Sequence, residues 1–347
     1  MTELLIRELA RRGRRAARAR PASPPSASAA TVATKAAVLR RLELDVSRRL
    51  DGMLSGDHLA ITAGPGTEAA GARPYGPGDD ARRIDWSLTA RSLDLHVRTT
   101  EADRELETIL IADRSASLDF GTAQREKREV VLAAVAAFGS LTIRSGNRLG
   151  LVVAGADHLT QVPPRAGRAG LLASMAMLYD TPRRTTPPAV GADLAGALSR
   201  IEKTQKRRAQ VVVISDFLDR GDWAAPLRRL ALRHQVIAVQ ISDPREFELP
   251  RVGMLSVVDA ETGRHLHVQT NASDLRERYA AAARQRDHEI RRLIAAAGAE
   301  RLALSTDRDW LVDVVRFVGG RRLERGVAQA ADAGNPARAR LLSRRRA

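Results

Sequence analysis

Residues 106–117 read LETILIADRSAS, an apolar run that ends in one carboxylate and two hydroxyls. A short apolar run bounded by polar residues predicts a strand that is buried on both faces of a sheet. Asp113 comes directly after the apolar residues, and Ser115 and Ser117 follow on the outgoing loop. The pattern therefore predicts a strand that delivers three oxygen-bearing side chains to one edge of a sheet.

The chain after this run alternates between strand and helix patterns. Such alternation of apolar strands with helices predicts an α/β fold, a doubly wound and mostly parallel sheet with helices on both faces. A hairpin is predicted over residues 257–269 and a last helix over 310–318. The predicted strands are 149–154, 210–215, 236–242 and 302–305, and the predicted helices are 124–143, 167–180, 192–205, 223–233 and 273–297.

The composition divides the chain of 347 residues into four parts. We expect disordered basic tails at 1–34 and 321–347, a helix with a small β-rich subdomain at 35–104, and the main domain at 105–320. The net charge of +16 is concentrated in the tails, since residues 1–30 hold seven arginines against two glutamates and residues 321–347 hold eight against two acids. Tails of this kind can bind anionic surfaces or nucleic acid by releasing counterions.

Several function classes are disfavoured by composition. The absence of cysteine excludes a disulfide framework and a cysteine-ligated zinc site. No apolar run approaches the roughly 18–20 residues of a membrane-spanning helix, so we expect a cytoplasmic protein. With three Trp, three Tyr and five Phe, the chain offers little for stacking on bases, and we do not expect nucleic acid to be its main partner.

A second carboxylate follows another predicted strand. Residues 210–215 read QVVVIS, and Asp216 comes next. Because the carboxyl ends of parallel strands meet at one edge, we expect Asp216 to join Asp113, Ser115 and Ser117. Oxygen ligands of this kind suit Mg²⁺ or Mn²⁺. The alternative is that Asp113 caps a turn and the serines satisfy backbone groups of the loop.

Two resemblances give these residues a context. The Asp-x-Ser-x-Ser pattern at 113–117, with a second Asp after a later strand, resembles the metal-ion-dependent adhesion site of von Willebrand factor type A domains. Further motifs resemble the domain-of-unknown-function 58 family, which contains such a domain. These motifs are RPYGPGDD at 73–80, RRIDW at 82–86, AR at 90–91, SDFL at 215–218, DPRE at 243–246, LP at 249–250 and STD at 305–307.

The resemblance implies a metal site with Asp113, Ser115, Ser117 and Asp216 as ligands. One ligand of the adhesion pattern is missing, because the usual Gly-Thr-Asp is here Gly191-Ala192-Asp193 and alanine has no oxygen to offer. Water can fill the gap, Asp193 can contribute indirectly, or the metal affinity is weak. Mg²⁺ commonly keeps several waters in protein sites, so we keep the site as a prediction.

The function implied by the resemblance is binding without turnover. Such proteins resemble companions of MoxR-type AAA+ ATPases, which suggests an adaptor or co-chaperone. A client protein's Asp or Glu would fill the open position of the cation through a charge-assisted bond. Two alternatives stay open: a Mg²⁺-dependent hydrolase, for which only Arg114 stands near as a cationic group, and a binder of nucleic acid or anionic surfaces through the arginine-rich tails.

The segment 73–86 has a structural and a functional interpretation. Its mixture of Arg and Asp residues predicts a buried charge network with Trp86 as an anchor, and the alternative is an interface with a partner. Elsewhere, His265 and His267 lie on one face of a predicted strand, where exposed histidines are commoner than metal ligands.

Overall fold

The centre of the molecule is a six-stranded sheet within the part of the chain described here. The structure, a computed structural model, describes residues 29–54, 72–76, 82, 84–92, 94–98, 107–123, 125–155, 159–182, 193–219, 221–258 and 265–332. The strands are β1 (Ala72–Pro74), β2 (His96–Arg98), β3 (Glu107–Asp113), β4 (Arg148–Ala154), β5 (Leu159–Arg165), β6 (Ala209–Ser215), β7 (Gln235–Ser242), β8 (Met254–Val258), β9 (His265–Gln269) and β10 (Glu300–Ser305). The helices are α1 (Ala29–Leu54), α2 (Trp86–Ser92), α3 (Lys127–Arg144), α4 (Gly167–Asp180), α5 (Leu194–Thr204), α6 (Ala224–Ala231), α7 (Ser273–Ala296) and α8 (Trp310–Asp332).

The order of strands in the sheet is β10-β7-β6-β3-β4-β5, and every neighbouring pair is parallel except β4 and β5. The chain runs outward from β3 to β4 on one side and from β6 through β7 to β10 on the other. The direction of winding therefore reverses between β3 and β6. In open α/β sheets this reversal leaves a crevice at the carboxyl ends of the strands, which is where ligands bind.

Helices cover both faces of this sheet. Buried side chains of α1, α3, α4 and α8 form one core with the first face. Those of α5, α6 and α7 form a second core with the other face. The central strand β3 is buried from Thr108 to Asp113, as expected for a strand between two helical layers. The predicted fold class, α/β with a doubly wound and mostly parallel sheet, is confirmed.

Helix α1 belongs to the main domain, whereas we assigned it to the subdomain at 35–104. Its apolar residues recur at helical spacing, and the stripe is buried in the same core as α3 and α4. Burying side chains of this size contributes roughly 1.5–3 kcal/mol each, which is enough to dock the helix on its neighbours. The stripe consists of Leu39, Leu42, Val46 and Leu50.

The predicted boundaries of the tails also need correction. Helix α1 begins at Ala29, before the expected boundary at residue 34. Helix α8 was predicted to end at residue 318, yet it continues to Asp332 and includes the first part of the predicted tail at 321–347. Its buried residues Trp310, Leu311, Val314 and Val318 dock it on the core, and the helix continues beyond them. Residues 1–28 and 333–347 lie outside the described part.

Strand β5 was missed because its sequence, LTQVPPR, contains two prolines. Proline lacks a backbone donor and is tolerated in sheets only at an edge. The strand indeed lies at the edge of the sheet and pairs with β4 alone, in the antiparallel sense. Prolines here also leave one side of β5 poorly suited to pairing with another strand.

The β-rich region is described only in part. Strands β1 and β2 pair in the antiparallel sense, while residues 55–71 of the predicted β-rich subdomain lie outside the described residues, as do residues 77–81 and 83 of the charged segment. In the described part of that segment, Arg82 is exposed, Asp85 accepts hydrogen bonds from two backbone N–H groups at the start of α2, and Trp86 is 67% exposed. Trp86 is therefore not a buried anchor, and the Arg and Asp network itself stays a prediction because much of the segment lies outside the described residues.

The predicted hairpin is present as β8 and β9, although its turn at 261–263 lies outside the described residues. His265 and His267 are exposed on it. Across the described ranges, no helix combines the length and apolar character needed to span a bilayer.

Candidate functional site

Neighbouring strands bring the two predicted aspartates to the same edge of the sheet. Strand β3 ends at Asp113 and β6 ends at Ser215, and the register pairs Ala112 with Ile214. The Ser215 hydroxyl donates a 2.6 Å hydrogen bond to Asp113 Oδ2. Asp216 follows immediately, and its charge acts on Asp113. The expected convergence of the two strand ends is therefore present at the point where the winding reverses.

Asp113 is a fully buried carboxylate. Its Oδ1 accepts a 2.8 Å hydrogen bond from the backbone N–H of Ser115, and its Oδ2 accepts the Ser215 bond. No lysine or arginine of the described ranges forms an ion pair with it. Burial, together with the negative charge of Asp216, raises the pKa of Asp113 to about 7. In the described part of the chain, the partners of this carboxylate are thus a hydroxyl and a backbone N–H rather than a cation.

The two serines lie beside Asp113 on a short 3₁₀ turn, Ala116–Asp119. The Oγ atoms of Ser115 and Ser117 are 2.9 Å apart. This is the distance of a hydroxyl–hydroxyl hydrogen bond, and it is also the separation of about 2.9 Å expected for adjacent ligands around an octahedral Mg²⁺ with bonds of 2.0–2.1 Å. Arg114 points its guanidinium to the carbonyl of Thr181, at 3.2 Å.

Asp216 forms an ion pair that the sequence did not predict. The ammonium of Lys127, at the start of α3, lies 2.7 Å from Asp216 Oδ2, and the two side chains are 0% and 1% exposed. The same ammonium donates to Glu246. Burial alone lowers the pKa of Lys127, but the charges of Asp216 and Glu246 outweigh it and raise that pKa above its ordinary value. The two carboxylates thus favour the charged form of Lys127 inside the protein.

A third buried aspartate, Asp243, connects the surrounding loops. Asp243, which follows β7, accepts hydrogen bonds from the backbone and hydroxyl of Thr122 at 2.9 and 2.6 Å and from the hydroxyl of Thr306 at 2.7 Å. It also caps the 3₁₀ turn Pro244–Glu246, and Glu246 returns a bond to the Asp243 backbone. Burial opposes ionisation, but these hydrogen bonds prevail and lower the pKa of Asp243.

The turn after β6 fixes the direction of Asp216. Phe217 has a φ of +58°, in the left-handed region that costs a side-chain-bearing residue roughly 1–2 kcal/mol. Its ring packs edge-on against Trp223, with the ring centroids 5.0 Å apart. The backbone N–H of Leu218 donates to Asp216 Oδ1 at 3.1 Å. Aromatic packing and this Asx bond hold a turn that the backbone alone would not favour.

Of the predicted Gly191-Ala192-Asp193 motif, only Asp193 lies within the described residues. Its side chain caps α5 by accepting from the backbone N–H of Gly196. The next residue, Leu194, donates its backbone N–H to Asp219 Oδ2 at 3.3 Å. The start of α5 therefore contacts the loop that carries Asp216, although Asp193 itself serves the helix.

The donor set fits a hard divalent cation. It combines two carboxylates with two hydroxyls, all of them oxygen ligands. In the described part of the chain, no group of three or more His, Asp or Glu side chains is arranged around a common metal position. Any metal here would thus depend on the hydroxyls and on water as well as on Asp113 and Asp216. Their role as ligands stays a prediction.

Comparison with known proteins identifies relatives along most of the chain. The family model described as Protein of unknown function DUF58 matches residues 71–289. The uncharacterised protein Rv1480 of Mycobacterium tuberculosis is 47% identical over 287 residues, which cover 83% of this chain and 90% of the relative. The uncharacterised protein MAV169 of Mycobacterium avium is 41% identical over 164 residues, covering 47% of this chain and 95% of the relative.

Solved structures show a more distant likeness. An aerotolerance-related membrane protein from Bacteroides fragilis has a TM-score of 0.40 and 13% identity, and the match covers 62% of this chain and 97% of that one. The VWA domain of SpRpn10 has a TM-score of 0.35 and 13% identity, covering 60% of this chain and 93% of that domain. Likeness at this level carries no functional argument, so function has to be argued from the site.

Proposed function

This chain belongs to the DUF58 family, and from that premise we propose that it is a non-enzymatic protein-interaction module with a divalent-cation site at the carboxyl edge of its sheet. The partner class that the family resemblance implies is a MoxR-type AAA+ ATPase, with this chain as adaptor or co-chaperone. The ligands proposed for the cation are Asp113, Ser115, Ser117 and Asp216.

The observation that supports a cation most strongly is the state of Asp113. A fully buried carboxylate beside a second carboxylate, with hydroxyls and a backbone N–H as its partners, has a pKa raised to about 7. Such a group is stabilised by a nearby positive charge. The paired hydroxyls of Ser115 and Ser117 offer two further oxygens on the same side of the loop. These features together favour Mg²⁺ or Mn²⁺.

The binding role follows from the ligand number. Two carboxylates and two hydroxyls do not complete an octahedron, so a bound Mg²⁺ supplies an open coordination position for an external oxygen. The side chains of this protein hold the ion and orient that position at the edge of the sheet. An Asp or Glu of a client protein is the matching group, because a charge-assisted contact to a carboxylate is directional and selective.

The hydrolase alternative lacks a cationic clamp in the described residues. Catalysis of phosphoryl transfer is aided by a cation that stabilises the charge developing on the substrate, in addition to the metal. Arg114 donates to a backbone carbonyl, and Lys127 is enclosed between two carboxylates. Neither cation is presented to a substrate at the edge of the sheet.

The test is capture of a purified MoxR-type ATPase with Mg²⁺ and with EDTA. We expect wild type to capture it with Mg²⁺ but not with EDTA. Asp113→Ala should capture it in neither condition. Asp274→Ala is the matched control, since it removes an exposed carboxylate at the start of α7. Equal capture by Asp113→Ala and wild type would contradict the proposal. Turnover of p-nitrophenyl phosphate that requires both Mg²⁺ and Asp113 would instead favour the hydrolase.

A further inference from the structure

Lys127 is a charged group that contacts the proposed ligand Asp216 and that the cation site itself does not require. Its ammonium is enclosed by Asp216 and Glu246, and its side chain is wholly buried. A fully buried lysine is rare unless it is paired, because removing an ammonium from water is costly. Here the fold brings two carboxylates from different loops to meet it.

The carboxylates of Asp113, Asp216 and Glu246 interact in order, with Asp216 acting on the other two. Asp216 influences Asp113 on one side and Glu246 on the other. Lys127 forms ion pairs with Asp216 and Glu246, and within the described ranges no ion pair joins it to Asp113. One end of the series is therefore neutralised by a charge built into the chain, while the end at Asp113 is not.

We propose that Lys127 is a tethered cation that sets the affinity of the Asp113–Asp216 site for divalent ions. This inference rests on the proposed function. By binding Asp216 Oδ2, Lys127 neutralises negative charge that would otherwise attract a divalent ion. It also places a second positive charge beside that ion. At a separation of a few ångströms in a partly buried site, the repulsion between like charges is only weakly screened by water. We expect removal of the ammonium to tighten divalent binding at least about tenfold.

The same contact links the site to the surface turn after β7. Glu246 accepts from Lys127 with one oxygen and from the Asp243 backbone with the other, at 3.0 Å for the latter. Asp243 in turn binds Thr122 and Thr306 on two further loops. A divalent ion that weakens the ion pair between Lys127 and Asp216 therefore also changes the contact of Lys127 with Glu246. The turn that carries Glu246 is bonded through Asp243 to the loops of Thr122 and Thr306.

Calorimetric titration with MnCl₂ on full-length wild type, Lys127→Met and Glu246→Gln tests the inference. Both substitutions break the same buried ion cluster, so a purely structural effect would weaken binding in both. We expect opposite changes: tighter binding in Lys127→Met, which loses a positive charge, and weaker binding in Glu246→Gln, which loses a negative one. Binding in Lys127→Met that is equal to or weaker than in wild type overturns the inference.

The outcomes separate this inference from the proposed function. If wild type binds Mn²⁺ and Lys127→Met binds no tighter, the cation site stands and the role of Lys127 fails. If neither binds, and Asp113→Ala is equally silent, both fail together. Binding that is detectable only in Lys127→Met supports the inference in its strongest form, since the tethered cation then keeps the site closed to other ions.

A measurement on the unaltered protein covers the case in which Lys127→Met does not fold. The chain contains only four lysines, at positions 35, 127, 203 and 206, so ¹⁵N-lysine labelling gives few side-chain signals. The buried ammonium of Lys127 is identified by slow hydrogen exchange, since Lys203 and Lys206 are exposed and Lys35 is partly exposed. We expect Mg²⁺ to shift or broaden this signal. An unchanged signal at a Mg²⁺ concentration that saturates the site overturns the inference.

Discussion

Lys127 Nζ and Asp216 Oδ2 lie 2.7 Å apart, although 89 residues separate them in the chain. The pair joins the first turn of α3 to the end of β6, and water reaches neither side chain. Desolvation can cancel the attraction within a buried ion pair, so its net contribution to stability can be small. Losing one member is different, because the other charge is then left buried with less compensation.

We therefore expect Asp216→Ala to lower the free energy of unfolding by about 3–5 kcal/mol. The reason is the Lys127 ammonium, which keeps only Glu246. The triple variant Lys127→Met/Asp216→Leu/Glu246→Gln should recover much of the loss, because it removes all three charges of the buried cluster. Urea denaturation of the two variants and wild type, without divalent ions, measures this. A triple variant no more stable than Asp216→Ala would show that the uncompensated ammonium is not the cause.

The stability of the metal-free protein should fall as pH rises. The pKa of Asp113 is raised to about 7 in the folded protein from 3.8 in an ordinary environment, so between these values the folded state keeps a proton that the unfolded state has released. The contribution of this group is fully present below about pH 4, is lost progressively up to about pH 7 and changes little above. Its full size is about 4 kcal/mol.

Asp113→Asn should abolish the part of the pH dependence of the unfolding free energy that comes from Asp113, since an amide does not titrate. Urea denaturation in EDTA at several values of pH between 4 and 8 gives the comparison. Other carboxylates and histidines add their own dependence, which both proteins share. The difference between wild type and the variant is therefore the quantity to follow. A difference that stays constant over this range would contradict the assignment.

Asp243 should be the most sensitive position in the loops around the site. Its buried carboxylate accepts from Thr122, Thr306 and the Arg245 backbone. Asp243→Ala leaves these donors without an acceptor, at a cost of about 1–3 kcal/mol for each one that stays buried. Thr306→Val removes a single donor and should cost about 1 kcal/mol. Equal losses in thermal or urea denaturation of the two variants would contradict a network organised by Asp243.

The strand pattern was sufficient to predict where the two aspartates meet. Strands buried on both faces have sequences that no amphipathic helix shares, and β3 and β6 are of this kind. Once these strands are assigned to one parallel sheet, their carboxyl ends fall at one edge without any knowledge of the loops. The adjacency of Asp113 and Asp216 follows from this regularity.

Lys127 and β5 escaped prediction for physical reasons. Lys127 lies in the charged sequence REKRE at 125–129, which is typical of an exposed start of a helix, and its burial is decided by carboxylates 89 and 119 residues away. The prolines of β5 argue against a strand unless it is known to lie at an edge. Both features depend on tertiary position, which local sequence patterns do not contain.

The final prediction concerns the missing threonine. Ala192 lies outside the described residues, but the backbone two positions later contacts Asp219, on the loop that carries Asp216. In the adhesion pattern that the chain resembles, a threonine at this position supplies a ligand, so Ala192→Thr should tighten Mg²⁺ binding by adding an oxygen. Calorimetric titration measures the change, with Ala189→Thr in the same segment as the control. Identical affinities in wild type and both variants would mean that residue 192 does not face the cation, and the site would then have to complete its coordination with water alone.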